Sequence, residues 1–209
     1  MLNESPMAED FNPRIFLMDT GPLITLAAAE SLDYLLILDL PVIIPDAVFY
    51  EATSNSTAIG AADIAEWTQA HADQINIVPS QVFASHFWAL THSQVKVPNL
   101  GESAALEVAR YSPFLNGEEQ ALLLTEDDKV LNGLFIPEKD RERIIVLSTH
   151  DYLDGLEKAQ KINSTAAVYA RANDGGRFAS EKKAQKENHD RAMAALDAAL
   201  RNQEARKFI

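Results

Sequence analysis

The sequence predicts an α/β fold, a mostly parallel sheet covered by helices on both faces. Short apolar runs at Ile15 to Met18, Val42 to Ile44, Gln120 to Leu124 and Ile144 to Leu147 alternate with longer stretches of helical periodicity. The runs are too continuously apolar for strands with one wet face, so they read as buried on both sides. Carboxylates recur just beyond them, and the crevice past the carboxyl ends of strands is where open α/β folds bind ligands.

The elements follow in order. Residues 1 to 13 are polar and acidic and read as a disordered tail. Strand Ile15 to Met18 ends at Asp19, and Gly21 and Pro22 turn the chain into a helix expected to run from Pro22 to Leu38. Its Leu23, Leu26, Ala27, Leu32, Leu35 and Leu36 form a broad apolar face. Strand Val42 to Ile44 is closed by Pro45, with Asp46 as N-cap of a helix carrying Val48, Phe49 and Glu51. A helix over Ala61 to Ala72 contains Trp67, and Ile75 to Val78 is an edge strand or a loop.

An aromatic helix is expected over Val82 to Thr91, with Trp67, Phe87 and Trp88 read as core and His86 and His92 as structural. The helix from Glu102 to Arg110 has a small-residue face of Ala104, Ala105, Val108 and Ala109 that permits close packing on a sheet. Strand Gln120 to Leu124 ends in Thr125-Glu126-Asp127-Asp128, and Phe135 to Arg143 is a charged loop. After Ile144 to Leu147 comes a helix to about Lys161, with His150 read as a surface or capping residue. A further helix spans Asn163 to Ala172 and breaks at Asp174-Gly175-Gly176. Ser180 to Arg206 reads as one long solvated helix with the stripe Ala192, Met193, Leu196, Ala199 and Leu200.

A chain of 209 residues suits one domain and an appendage: a tail over 1–13, a domain over 14–172 and a C-terminal helical extension over 173–209. The absence of Cys excludes disulfides and thiolate metal sites. No apolar run approaches the roughly 20 residues of a membrane span. The first residues resemble no signal peptide, so a cytoplasmic location is expected. The net charge of -13 argues against a broad phosphate-binding surface. It is uneven: residues 171–209 carry a net +3 and residues 1–170 a net -16. An acid-rich site needs bound cations before it accepts a phosphodiester.

Asp19, Glu51, Glu102 and Asp127 come from distant parts of the chain, and right-handed crossovers can bring them to one sheet edge. Oxygen donors favour Mg²⁺ or Mn²⁺. Each acid also has a plainer reading. Asp19 caps its helix, Glu51 is a solvated helix residue, Glu102 answers a helix dipole, and Asp127 and Asp128 form an ordinary turn.

Asp19-Thr20-Gly21-Pro22-Leu23-Ile24, followed by Pro45-Asp46-Ala47-Val48-Phe49-Tyr50-Glu51, resembles the opening of PIN-domain proteins, in particular VapC-like toxin ribonucleases. Leu100-Gly101-Glu102-Ser103-Ala104-Ala105 is similar to the family's Gly-Glu helix start, and Thr125-Glu126-Asp127-Asp128-Lys129 to its next acidic turn. The elements keep family order across roughly residues 14 to 160. The resemblance implies a three-layer α/β/α sandwich and a metal-dependent ribonuclease, often the toxin of a toxin–antitoxin pair. It places Asp19, Glu51, Glu102 and Asp127 on the acidic positions, Thr20 beside the first acid, and Asp128 as a substitute if the register slips. Asn132 stands near the place where the family usually carries a basic residue, and Phe135 to Arg143 is an insertion.

Phosphodiester hydrolysis needs charge neutralisation at the phosphate and a water of lowered pKa, which carboxylate-held Mg²⁺ or Mn²⁺ supplies. Asp19, Glu102 and Asp127 are the expected ligands, Glu51 acts through water or Lys129, and Thr149 and Asp151 complete the rim. The partners expected are RNA, a cognate antitoxin inserting into the acidic groove, and a second copy through the C-terminal helix. That helix has three roles open to it: packing back on the domain, dimerising, or offering Lys182, Lys183, Lys186 and Arg191 to RNA or a partner, with plain solvation of its charged face as the plainer reading. Two other functions compete. One is a catalytically silent PIN-like interaction module. The other is an aspartic protease, which shares Asp-Thr-Gly but is β-rich. A phosphatase using Asp19 would want a second Asp where Gly21 stands.

Overall fold

The computed structural model describes residues 11–93, 97–178 and 186–206. Its strands are β1 (Pro13–Met18), β2 (Val42–Pro45), β3 (Ile75–Val78), β4 (Gln120–Thr125) and β5 (Ile144–Ser148). Every neighbouring pair is parallel, and the order is β3-β2-β1-β4-β5. The helices are α1 (Thr20–Ala28), α2 (Asp46–Thr53), α3 (Ala61–Ala70), α4 (Gln81–Ser93), α5 (Leu100–Tyr111), α6 (Asp128–Leu131), α7 (Thr149–Lys158), α8 (Thr165–Asp174) and α9 (Lys186–Arg206).

Strand periodicity divides the core in two. Phe16, Met18, Val42, Ile44, Leu122, Leu124, Ile145 and Leu147 face a cluster shared with α1, α3, α7, α8 and α9. Ile15, Leu17, Ile43, Ala121, Leu123 and Ile144 face the other way, against Ala105, Val108 and Ala109 of α5. The sheet is therefore the middle of three layers, buried on both faces, as its continuously apolar strands require.

Several elements differ from expectation. The helix expected to reach Leu38 stops at Ala28, because Glu30 takes a left-handed φ of 50°. The Glu30 and Ser31 N–H groups then close a Schellman cap on the carbonyls of Ala27 and Leu26. A 3-10 turn over Leu32–Leu36 carries the rest. The same device at Gln160, φ 57°, ends α7 before Lys161. Pro45, not Asp46, is the N-cap of α2; Asp46 instead accepts hydrogen bonds from the Ser80 amide and hydroxyl. Ile75–Val78 is the edge strand.

Trp67 is core, its indole N–H donating to Asp33, but Phe87 and Trp88 are exposed, Trp88 at 67%. The loop after α6 is anchored rather than free. Ile136 is buried, and Arg110 meets the buried Asp140 at 2.6 Å, a hydrogen bond that holds the Asp140 carboxyl below its usual range.

The helix expected to be solvated is described from Lys186, and residues 179–185, with Lys182 and Lys183, lie outside the described residues. Over α9 the apolar stripe is core: Ala192, Ala195, Leu196 and Ala199 are all but inaccessible, packed on β5 and α7. Gly155 of α7 permits the approach, since a Cβ there would fall 2.3 Å from Leu196 Cδ2. Leu196→Ala is expected to cost about 2–5 kcal/mol, read as a lower denaturation midpoint. A peripheral α9 would leave that midpoint unmoved.

Candidate active site

The chain leaves β1 toward β2 and β3 on one side, and β4 leads to β5 on the other. The C-terminal ends of β1 and β4 thus flank the switch point of the sheet, where a crevice opens. Asp19 stands there. Its N–H donates to the Leu124 carbonyl of β4 at 3.0 Å, and its Oδ1 caps α1 by accepting from the Thr20 N–H at 2.7 Å. Oδ2 accepts from the Thr125 hydroxyl at 2.6 Å. Only 8% of Asp19 is exposed. Burial pushes its carboxyl up to about 7; the bonds from Thr125 and Thr20 oppose the rise, and the charges of Glu102 and Glu51 add to it.

Glu51, on the outer end of α2, accepts from the Thr20 hydroxyl at 2.9 Å. Partial enclosure pushes its pKa up, against the Thr20 bond and with help from Glu102. The start of α5 supplies the third acid. Asn99, with a left-handed φ of 52°, turns the chain so that Gly101 enters between the carboxylates. A Cβ on Gly101 would lie 3.0 Å from Glu51 Oε2 and 3.7 Å from Asp19 Oδ1, so a side chain there would crowd both. Glu102 follows and lines a small cleft with Asp19, Thr125, Leu106 and Phe135.

Asp127 lies between β4 and α6, two residues beyond Thr125. Its Oδ1 caps α6 by accepting from the N–H groups of Lys129 and Val130, and its own N–H donates to Thr125 Oγ1 at 3.1 Å. The Thr125 hydroxyl therefore joins Asp19 to Asp127. Asp128 is exposed at the start of α6. Thr149 is buried and donates to Glu126 Oε1 at 3.0 Å. Asp151 is fully buried, turned toward α9 rather than the rim, and meets His189 Nδ1 at 3.0 Å. His150 lies 3.6 Å from Asp154.

The sequence reading missed Thr125 and Glu126. The signal for Thr125 was strand periodicity: Leu17 pairs with Leu123 and Met18 with Leu124, so Thr125 is next in line with Asp19. Thr125→Val is expected to strand the Asp127 N–H and remove a bond that lowers the Asp19 pKa. The cost is about 1–3 kcal/mol of stability, and the acidic limb of any activity profile moves to higher pH. An unmoved limb would contradict the role of this hydroxyl.

Among the described residues, no three acidic or imidazole groups close into a ready-made metal cage. The donors still suit a hard cation. They are all oxygens, and Mg²⁺ takes one or two carboxylates while keeping several waters. A buried carboxylate pushed up to about 7, beside two further acids, is the arrangement a divalent cation relieves.

A family model described as PIN domain matches residues 15–127. No curated protein and no solved structure gives a significant match. The matched span runs from β1 to the turn after β4 and holds Asp19, Glu51, Glu102 and Asp127. Covering more than half of the chain, the match establishes that this protein belongs to the PIN-domain family.

Proposed function

We propose that the protein is a Mg²⁺- or Mn²⁺-dependent endoribonuclease acting through Asp19, Glu51, Glu102 and Asp127. PIN domains are generally nucleases that use divalent metals. The observation that carries the reading is the meeting of Asp19, Glu51 and Glu102 at the switch point of the sheet. Asp19 and Glu102 would hold a divalent cation there, with Asp127 adding Oδ2, the oxygen outside the capping bonds, and the cation would supply charge neutralisation at the phosphate and a more acidic water. Thr20 and Thr125 orient the carboxylates by donating to Glu51 and Asp19. Glu102, half-buried at the cleft, takes the proton from the attacking water.

The reading extends to a cytoplasmic toxin whose antitoxin places an Arg against the carboxylates. Growth arrest on expression, relieved by a neighbouring gene, tests it; a soluble, metal-competent protein without growth effect overturns it. No helix among the described residues is long and apolar enough to cross a membrane.

A silent interaction module is the second reading, favoured by Asp127, whose Oδ1 is committed to capping α6. Purified protein incubated with a structured RNA pool in Mg²⁺, Mn²⁺ or EDTA separates the two. Cleavage confined to the metal lanes supports the nuclease. Intact RNA in every lane, from folded protein free of inhibitor, supports the module.

A further inference from the structure

An acidic edge that takes RNA needs cationic side chains as well as metal, and the chain has Asn132 near the place where a basic residue is expected. The end of β4 supplies a different cation. Glu126 points away from Thr125, toward α1, so tightly that a Cβ on Gly21 would sit 3.2 Å from its Oε2. Its side chain is only 8% exposed, and Arg177 Nη2 meets Oε2 at 3.0 Å. Arg177 Nε donates to Thr25 Oγ1 at 3.3 Å. Among the described residues Nη1 has no hydrogen-bond partner, and the side chain is 31% exposed. One edge of the guanidinium is therefore fastened beside the first turns of α1, and the other is open.

The fastening is stiff. Gly175 ends α8 against α1 so closely that a Cβ would lie 2.5 Å from the Ala28 carbonyl oxygen. Arg171 donates to the Ala29 carbonyl and the Ser31 hydroxyl, and the Arg177 N–H closes on the Ala172 carbonyl. Arg177 lies beyond the matched span of 15–127, so the family match does not assign it. Its partner Glu126 adjoins both Thr125, which holds Asp19, and Asp127.

We propose that Arg177 is an RNA-binding residue, held by Glu126 and Thr25 so that its Nη1 edge grips a backbone phosphate next to the one cut at Asp19. The assignment rests on the ribonuclease reading. A guanidinium suits the task because its planar donors match phosphate oxygens and its charge persists at any working pH. The Glu126 carboxylate fixes its direction in advance.

The test uses the full chain. Binding of a short unstructured single-stranded RNA is measured by anisotropy across a KCl series, with Ca²⁺ in place of Mg²⁺ to suppress cleavage, for the unsubstituted chain and for Arg177→Gln. The variant is expected to bind about tenfold more weakly, the worth of one charge-assisted hydrogen bond. Its log-log salt slope becomes shallower by about 0.7, one phosphate contact on a single strand. In the cleaving chain, Arg177→Gln raises KM far more than it lowers kcat, which a purely structural ion pair would not do. Equal affinity and slope overturn the assignment, as does a fall in kcat at unchanged KM. Should the Gln variant not fold, Arg177→Lys decides, because its single ammonium keeps the ion pair with Glu126 and cannot also grip a phosphate: weaker binding with a shallower slope supports the proposal, and unchanged binding overturns it. If the parent neither binds nor cuts RNA, the ribonuclease reading falls and takes this with it. Binding that ignores position 177 removes only Arg177.

Discussion

Asp19→Asn is expected to abolish metal-dependent RNA cleavage, by on the order of a thousandfold or more, while leaving the fold intact. The substitution keeps the shape of the side chain. An Asn Oδ1 still accepts from the Thr20 N–H, and its Nδ2 donates to Thr125 Oγ1 where Asp19 now accepts. What disappears is the negative charge, and with it a strong ligand for a divalent cation. Glu102→Gln is expected to fall nearly as far, since the proposed function gives Glu102 both the second ligand's place and the proton acceptor's. Purified variants assayed side by side in Mn²⁺ and EDTA, with circular dichroism to establish folding, make the comparison. Residual cleavage within tenfold of the parent would remove Asp19 from the centre of the site.

The contrast with Asp127 sharpens this result. Asp127→Asn keeps an oxygen to cap α6, so stability changes little and any loss of cleavage reports the role of Oδ2. Asp127→Ala loses cap and ligand together, and its loss alone would not tell them apart. A chain in which Asp19→Asn is dead and Asp127→Asn is active would have its metal held by Asp19 and Glu102, with Asp127 serving the turn.

The sheet was legible because a strand buried on both faces leaves a continuous apolar run, and Asp19 was legible because such a run ends at it. The break in the first helix was not, since Glu30 has no residue-type signature for a left-handed cap. The inner face of α9 misled for another reason. Its stripe of Ala192, Leu196 and Ala199 is as apolar as a core seam, but its charged flank reads equally as a solvated helix. Only Gly155 in α7 betrays the close approach, and a glycine inside a helix has several meanings in sequence. Within the site, the carboxylates stand out by type. Thr125 and Arg177 act through partners brought to them by the fold, across separations of 106 residues to Asp19 and 51 to Glu126. No local pattern carries such a pairing.

Stability of the metal-free protein is expected to fall as pH rises from about 4 to about 7, and a divalent cation is expected to reverse the fall. The sign follows from Asp19. Its carboxyl has an ordinary value of 3.8 in the unfolded chain and is pushed up to about 7 by burial in the folded one. Between those values the folded state holds a proton that the unfolded state has released. The stabilisation is complete below the unfolded value and is lost as pH climbs through the folded one. A rise from 3.8 to about 7 corresponds to about 4 kcal/mol, a large part of the stability of an ordinary domain. Glu51, raised in the same direction, adds to the slope. A cation competes with that proton, so Mn²⁺ raises the melting temperature far more at pH 8 than at pH 5, and binding below pH 7 releases protons into the buffer. Asp19→Asn has nothing to titrate there. Metal-free, it is more stable than the parent at pH 8, equal to it near pH 4, and largely indifferent to Mn²⁺ at both. Melting curves over pH, with and without Mn²⁺, and calorimetry in buffers of different ionisation enthalpy measure each part. A parent whose metal-free stability is flat from pH 4 to pH 7 would mean that the Asp19 carboxylate is already compensated in the folded chain, and the need for a cation would vanish with the slope.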